Sequence, residues 1–175
     1  MLVFSAIVSK LIRREASVSP GHKTYENISG SIIPLQDTGR PIAIVDDNKD
    51  DLRFLKREVE SIFGPVPIVI FENGAGLIRH LHTDDPVISR PWLILLDLNM
   101  PRINGFRTLE ILRGNPLSSD IPVVVVSGTL NEQDIYDSFS YGARAFLPKP
   151  VSREAFTALL QQGPAPRAEP VKKGQ

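Results

Sequence analysis

The chain has 175 residues, 42% of them hydrophobic and 23% charged, an ordinary globular composition with enough apolar material for one sizeable core. Lys+Arg and Asp+Glu both number 20, so no global charge points to nucleic acid or to a membrane surface, and no apolar stretch approaches the length of a membrane span. There is no Cys, which excludes disulfides, thiolate metal sites and cysteine nucleophiles.

The neutral sum conceals a division: residues 1–40 carry five basic and three acidic side chains, 41–162 twelve and sixteen, and 163–175 three and one. Met1 to Val8 is apolar but has no basic residue before it and no small-residue cleavage site after it. It is not read as a signal peptide, and the expected compartment is the cytoplasm. Val3, Phe4, Ile7, Val8, Leu11 and Ile12 share one helical face beside Lys10, Arg13 and Arg14. They read as a short amphipathic helix docked on the domain or on a twin subunit, with a membrane-surface helix as the alternative. Residues 15–40 have no clear period, so 1–40 as a whole read as an N-terminal extension with a linker.

From Pro41 onward two periods alternate. Ile42 to Val45 is a β-branched apolar run, as a buried parallel strand requires. Leu52, Leu55, Val59 and Ile62 then mark one face of a helix, which Gly64-Pro65 stops. Pro67 to Phe71 reads as a strand, Gly76 to His82 as the start of a helix, and Trp92 to Leu96 as a strand ending at Asp97. Gly105 to Leu112 reads as a helix with Phe106, Leu109 and Leu112 on its apolar face. Ile121 to Val126 is a strand, Asn131 to Phe139 a helix with Ile135 and Phe139 inward, Ala143 to Leu147 a short strand, and Ser152 to Leu160 a helix with a Ser N-cap. Five strands alternating with five helices predict a parallel sheet covered on both faces, doubly wound by right-handed crossovers, over residues 41–162. The Pro-rich, polar segment 163–175 reads as a disordered tail.

In such a sheet, ligands sit outside the carboxyl ends of the strands, where the strand order reverses. The first strand ends in Asp46-Asp47, the third in Asp97, the fourth in Ser127 and the fifth shortly before Lys149. Three carboxylates, a hydroxyl and an ammonium are thus expected at one edge. Crowded carboxylates repel, and a hard divalent cation such as Mg²⁺ offsets that repulsion, usually together with a phosphate. A phosphoryl group in transfer needs its equatorial oxygens stabilised and an in-line nucleophile, and a carboxylate can be that nucleophile.

The set Val45-Asp46-Asp47-Asn48, Leu96-Asp97-Leu98-Asn99-Met100-Pro101 with Gly105, Val126-Ser127-Gly128 and Phe146-Leu147-Pro148-Lys149-Pro150 closely resembles the receiver domain of two-component response regulators. Ser127 lies 30 and Lys149 52 residues after Asp97, spacings that fit that family. The resemblance implies a single flavodoxin-like domain with strand order 2-1-3-4-5. It also implies Asp97 as phosphoacceptor, and Mg²⁺ held by Asp47, Asp97 and the Asn99 carbonyl, with Asp46 acting through water and hydrogen bonds. Lys149 and Ser127 would bind the phosphoryl oxygens, and Lys149-Pro150 would be a cis peptide. Ser127 and Phe146 would form a switch, the hydroxyl moving to the phosphoryl group and the ring turning inward. Pro101, Gly105 and Pro150 would be structural.

About thirteen residues follow the last helix, too few for an output domain, so the expected output is protein–protein contact. The long stretches His82–Pro91 and Arg113–Asp120 and the stand-alone organisation are similar to the small regulators paired with bacterial phytochrome kinases. The implied partners are a sensor histidine kinase, a bacteriophytochrome among the candidates, a histidine phosphotransfer protein, and a second copy meeting through the face of the fourth helix, fifth strand and fifth helix. Nucleic acid is not expected. A haloacid-dehalogenase-type phosphohydrolase is a poor fit, because the acid it needs two residues after the nucleophile is here Asn99, which cannot serve as an acid. The chain is therefore expected to assist its own Mg²⁺-dependent phosphorylation and autodephosphorylation and not to turn over an external substrate. The alternative is a scaffold of receiver type that works without phosphorylation.

Overall fold

The computed structural model describes residues 39–83, 90–101 and 103–161; the helix expected within 3–12, the tail 163–175 and most of the loop after His82 lie outside the described residues. In chain order the elements are β1 (Ile42–Val45), α1 (Lys49–Phe63), β2 (Ile68–Phe71), α2 (Gly74–Leu81), β3 (Leu93–Leu96), α3 (Gly105–Gly114), β4 (Val123–Ser127), α4 (Glu132–Ser140), β5 (Ala145–Pro148) and α5 (Arg153–Gln161). The strands form one five-stranded sheet in the order β2-β1-β3-β4-β5. All four pairings are parallel, with Val45 opposite both Phe71 and Leu96, Leu96 opposite Val125, and Ser127 opposite Pro148. This is the doubly wound order expected from the sequence.

The period of two along each strand divides the core into two layers. Ile42, Ile44, Leu93, Leu95, Val124, Val126, Ala145 and Leu147 face one side, where Leu52, Leu55 and Val59 of α1 and Phe156 of α5 cover them. Ala43, Val45, Ile94, Leu96, Val123, Val125 and Phe146 face the other, under Leu77 and Leu81 of α2, Leu109 and Leu112 of α3, and Ile135 of α4. Ile62, Phe106 and Phe139, expected inward, are only partly buried at the margins of these layers.

The helix starts are set by side-chain caps. Asn48 accepts from the Asp50 N–H (2.9 Å), Asn73 from Gly76 (3.0 Å), Asn104 from Arg107 (2.9 Å), Asn131 from Gln133 (2.9 Å) and Ser152 from Ala155 (3.1 Å). Each satisfies a backbone donor that a first helical turn leaves orphaned. Because the helices follow the strands, these caps crowd the carboxyl edge of the sheet and fix its loops. Two boundaries differ from expectation for backbone reasons. Strand β4 begins at Val123 and not Ile121, because Pro122 has no N–H to give the ladder, although its carbonyl accepts from Ile94 (3.0 Å). Helix α2 begins two residues early, at Gly74. A Cβ there would lie 2.0 Å from Thr108 Oγ1, so the glycine lets α2 close on α3.

At the amino end of the sheet Phe63 meets Trp92 and Phe156 edge-on, with ring centroids 5.5 and 5.8 Å apart. Phe156 has no exposed surface. Replacing it by Ala is expected to cost about 3–5 kcal/mol through lost burial and a residual cavity. A urea titration checks this, and a loss below about 1 kcal/mol would contradict the packing described.

Candidate functional site

The ladder hydrogen bonds run one residue past the strands and so place the residues that follow them. The Asp46 N–H donates to Phe71 O (3.1 Å), the Asp97 N–H to Val45 O (2.9 Å) and the Lys149 N–H to Ser127 O (2.9 Å). Since β1 lies between β2 and β3, Asp46 and Asp97 emerge side by side. Asp46 Oδ1 accepts the Asn48 N–H at 2.9 Å, and Asn48 in turn caps α1, so the carboxylate is tied to the start of that helix. On the other side the chain returns from Asp97 through Pro101 to Gly105, whose N–H donates to Leu98 O at 3.0 Å. A Cβ on Gly105 would stand 2.4 Å from Asp97 O and 2.5 Å from Leu98 Cα, both backbone atoms. Only glycine permits that approach, which places the start of α3 directly against Asp97. Lys149-Pro150 is cis, as expected.

Asp46, Asp47 and Asp97 each offer a carboxylate oxygen within 4.8 Å of the others. Asp46 and Asp97 are buried and Asp47 is exposed. The Lys149 ammonium hydrogen bonds Asp46 Oδ2 at 2.6 Å and Asp51 Oδ2 at 2.9 Å. It also stands 3.4 Å from Asp97 Oδ1, an ion pair without hydrogen-bond geometry. Asp97 Oδ1 is thereby buried with no hydrogen-bond partner among the described residues. Burial lifts the Asp97 carboxyl above its ordinary value; the Lys149 charge opposes this and the Asp46 carboxylate adds to it. Burial would lower Lys149, but its hydrogen bonds to Asp46 and Asp51 and the charges of Asp97 and Asp46 outweigh it, and the ammonium is pushed up to about 12. A buried carboxylate oxygen that lacks a hydrogen bond among the described residues, amid clustered acids, fits a hard divalent cation, which takes oxygen ligands and removes the repulsion.

Ser127 is fully buried at the end of β4. Its Oγ accepts long contacts of 3.4 Å from Asn99 Nδ2 and from the Thr129 N–H. Phe146 lies one strand over and is only 3% exposed, so its ring is already within the layer covered by α2, α3 and α4. The inward turn implied by the family resemblance is therefore at most a repacking of a buried ring. Asp46, Asp47, Asp97 and Lys149 come together as expected.

Asp51 was missed. It belongs to the first turn of α1, where an acid is adequately explained by the helix dipole, and only its distance from Lys149 singles it out. The Thr129 hydroxyl donates to Asp134 Oδ2 at 2.8 Å and ties the loop after β4 to α4.

The family profile of the response regulator receiver domain matches residues 42–161. The chain belongs to this family. Response regulator Rcp1 of Synechocystis sp. is 31% identical over 110 residues, which cover 62% of this chain and 75% of Rcp1. Chemotaxis protein CheV1 of Helicobacter pylori is 33% identical over 94 residues, but these cover 52% of this chain and only 29% of CheV1. Among solved structures, the phosphorylated cyanobacterial phytochrome response regulator RcpA matches with a TM-score of 0.60 at 31% identity, covering 69% of this chain and 88% of RcpA. The bacteriophytochrome response regulator AtBRR matches with a TM-score of 0.61 at 29% identity, covering 70% and 90%. This receiver domain thus shares the fold of those relatives. No helix among the described residues is long and apolar enough to cross a membrane.

The raised Asp97 carboxyl has a consequence for stability. The folded receiver domain binds this proton more tightly than the unfolded chain, whose carboxyl titrates near the ordinary 3.8. Above the raised value the buried charge therefore opposes folding, and that penalty fades as pH falls through the window down to the ordinary value. Asp97→Asn is expected to be more stable than wild type at neutral pH, with the difference shrinking through that window. Urea midpoints across the acid range, without divalent cation, check this; a constant difference between the two proteins would contradict it.

Proposed function

We propose that this receiver domain accepts a phosphoryl group on Asp97 from a sensor histidine kinase and signals by changing its protein–protein contacts. The observation that carries the reading is Asp97 Oδ1, buried beside Lys149 and two further carboxylates yet without a hydrogen-bond partner among the described residues. Most buried polar groups are hydrogen-bonded, so this oxygen is open to a ligand. In the transfer, an Asp97 oxygen attacks phosphorus, the phosphorus–nitrogen bond of the donor phosphohistidine breaks, and the leaving imidazole keeps the electron pair and is protonated. Asp47, Asp97 and the Asn99 carbonyl would hold Mg²⁺, with Asp46 engaged through water. When bound, the ion supplies positive charge against the phosphoryl oxygens. Lys149 supplies a second positive charge from the loop after β5, and the Ser127 hydroxyl a hydrogen bond from the end of β4.

On this reading Ser127 and Phe146 form the switch. Among the described residues Ser127 Oγ is held by two 3.4 Å contacts, both long, so little there opposes its movement to a phosphoryl oxygen. The Phe146 ring then repacks beneath α4, and the change reaches a surface where Leu130 and Tyr136 are exposed. That face, made by α4, β5 and α5, is the proposed site of homodimerisation. A bacteriophytochrome kinase is the proposed donor, supported by the likeness to RcpA and AtBRR, with a histidine phosphotransfer protein as a further route for the phosphoryl group. The cytoplasm is the proposed compartment, and residues 1–40 and 163–175 are proposed as an extension and a tail around one receiver unit at 41–162.

The test is incubation of the full chain with Mg²⁺ and acetyl phosphate, followed by intact-mass measurement. One phosphoryl group per chain is expected in wild type, and none in Asp97→Ala or after chelation of Mg²⁺. If wild type gains no mass, and Asp97→Ala binds the cognate kinase as wild type does, the receiver acts as a phosphorylation-independent scaffold instead.

A further inference from the structure

The Lys149 ammonium has three protons to donate. One goes to Asp46 Oδ2 and one to Asp51 Oδ2, at 2.6 and 2.9 Å. Asp97 Oδ1 stands off at 3.4 Å. Asp51 is not one of the strand-end acids. It projects from the first turn of α1, and its side chain is 38% exposed, against 1% for Asp46 and 5% for Asp97. Its neighbour Asp50 carries the same charge on the same turn but pairs with Arg53 at 2.9 Å. Two adjacent acids therefore have different partners, and only Asp51 reaches the site.

The arrangement matters because an ammonium beside a nucleophile can help or obstruct. Held nearby, it stabilises charge on an incoming phosphoryl group. Seated on the carboxylate, it occupies an oxygen that a phosphoryl group or a divalent cation would otherwise meet, and it repels the cation. We propose that Asp51 is a positioning residue for phosphoryl transfer: it draws the Lys149 ammonium toward α1 and so keeps it beside Asp97 without capping it. The inference rests on the reading of Asp97 as phosphoacceptor. Without Asp51, the freed Lys149 proton turns to Asp97 Oδ1, which has no other partner among the described residues.

The experiment measures the rate at which the full chain gains a phosphoryl group from acetyl phosphate with Mg²⁺, by intact mass over time. Asp51→Asn is expected to be about fivefold to tenfold slower than wild type, as suits a charged hydrogen bond partly open to solvent. Asp51→Glu, which keeps the carboxylate, is expected to retain more of the rate than Asp51→Asn. Asp50→Asn removes the same charge from the same turn and is expected to match wild type. In a Lys149→Ala background, Asp51→Asn is expected to add no further slowing, since its effect passes through the ammonium. The inference is overturned if Asp51→Asn matches wild type, if Asp50→Asn is slowed as much, or if the slowing persists in full without Lys149. Failure of wild type itself to gain mass overturns the phosphoacceptor reading instead.

Discussion

One ammonium faces too many carboxylates at the carboxyl edge of this sheet. Lys149 hydrogen bonds Asp46 and Asp51 and attracts Asp97, while Asp47 lies within 4.8 Å of the other strand-end acids. Charges removed from water cost several kcal/mol each unless they are paired and hydrogen-bonded, and Lys149 cannot satisfy all of them. The edge is therefore held in a state that a cation and a phosphoryl ligand can complete. Much of the architecture serves to hold it. The ladder bonds beyond β1, β3 and β5 fix Asp46, Asp97 and Lys149, the Asn48 cap ties Asp46 to α1, and Gly105 seats α3 against Asp97.

The same sheet connects that edge to the rest of the molecule. Alternate residues of β5 face opposite layers, so Leu147 packs under α1 and α5 while Phe146 packs under α2, α3 and α4. The strand that ends beside the acidic edge therefore touches both layers of the core. Thr129, bonded to Asp134, makes the loop after β4 a link between Ser127 and α4. Interiors this closely packed respond to a displaced hydroxyl by shifting between discrete arrangements, which is what a switch requires.

The fold was legible because parallel strands buried on both faces must be nearly all apolar, and Ile42–Val45, Leu93–Leu96 and Val123–Val126 are. The strand-end acids and Lys149 were legible because position at the end of a strand is itself a signal in this architecture. What escaped depends on distances between segments far apart in sequence. Asp51 lies 98 residues from Lys149, and nothing local distinguishes it from Asp50. Gly74 is explained by Thr108 of another helix, so its place as the first residue of α2 was not readable from periodicity. The Asn caps could have been read, since Asn48, Asn73, Asn104 and Asn131 each directly precede a helix. The burial of Phe146 could not, because an aromatic residue at that position fits either an exposed or an inward ring.

On the proposed reading, this charged edge receives a phosphoryl group and reports it through Ser127 and Phe146. Backbone amide NMR of the full chain, with and without Mg²⁺ and beryllofluoride as a phosphoryl mimic, tests it most directly. The two added together are expected to shift the amides around Asp97, Ser127 and Phe146 and along α4, whereas neither Mg²⁺ alone nor the mixture added to Asp97→Asn is expected to carry shifts to Phe146 and α4. Shifts confined to the residues touching the ligand, or an identical response from Asp97→Asn, would contradict this reading.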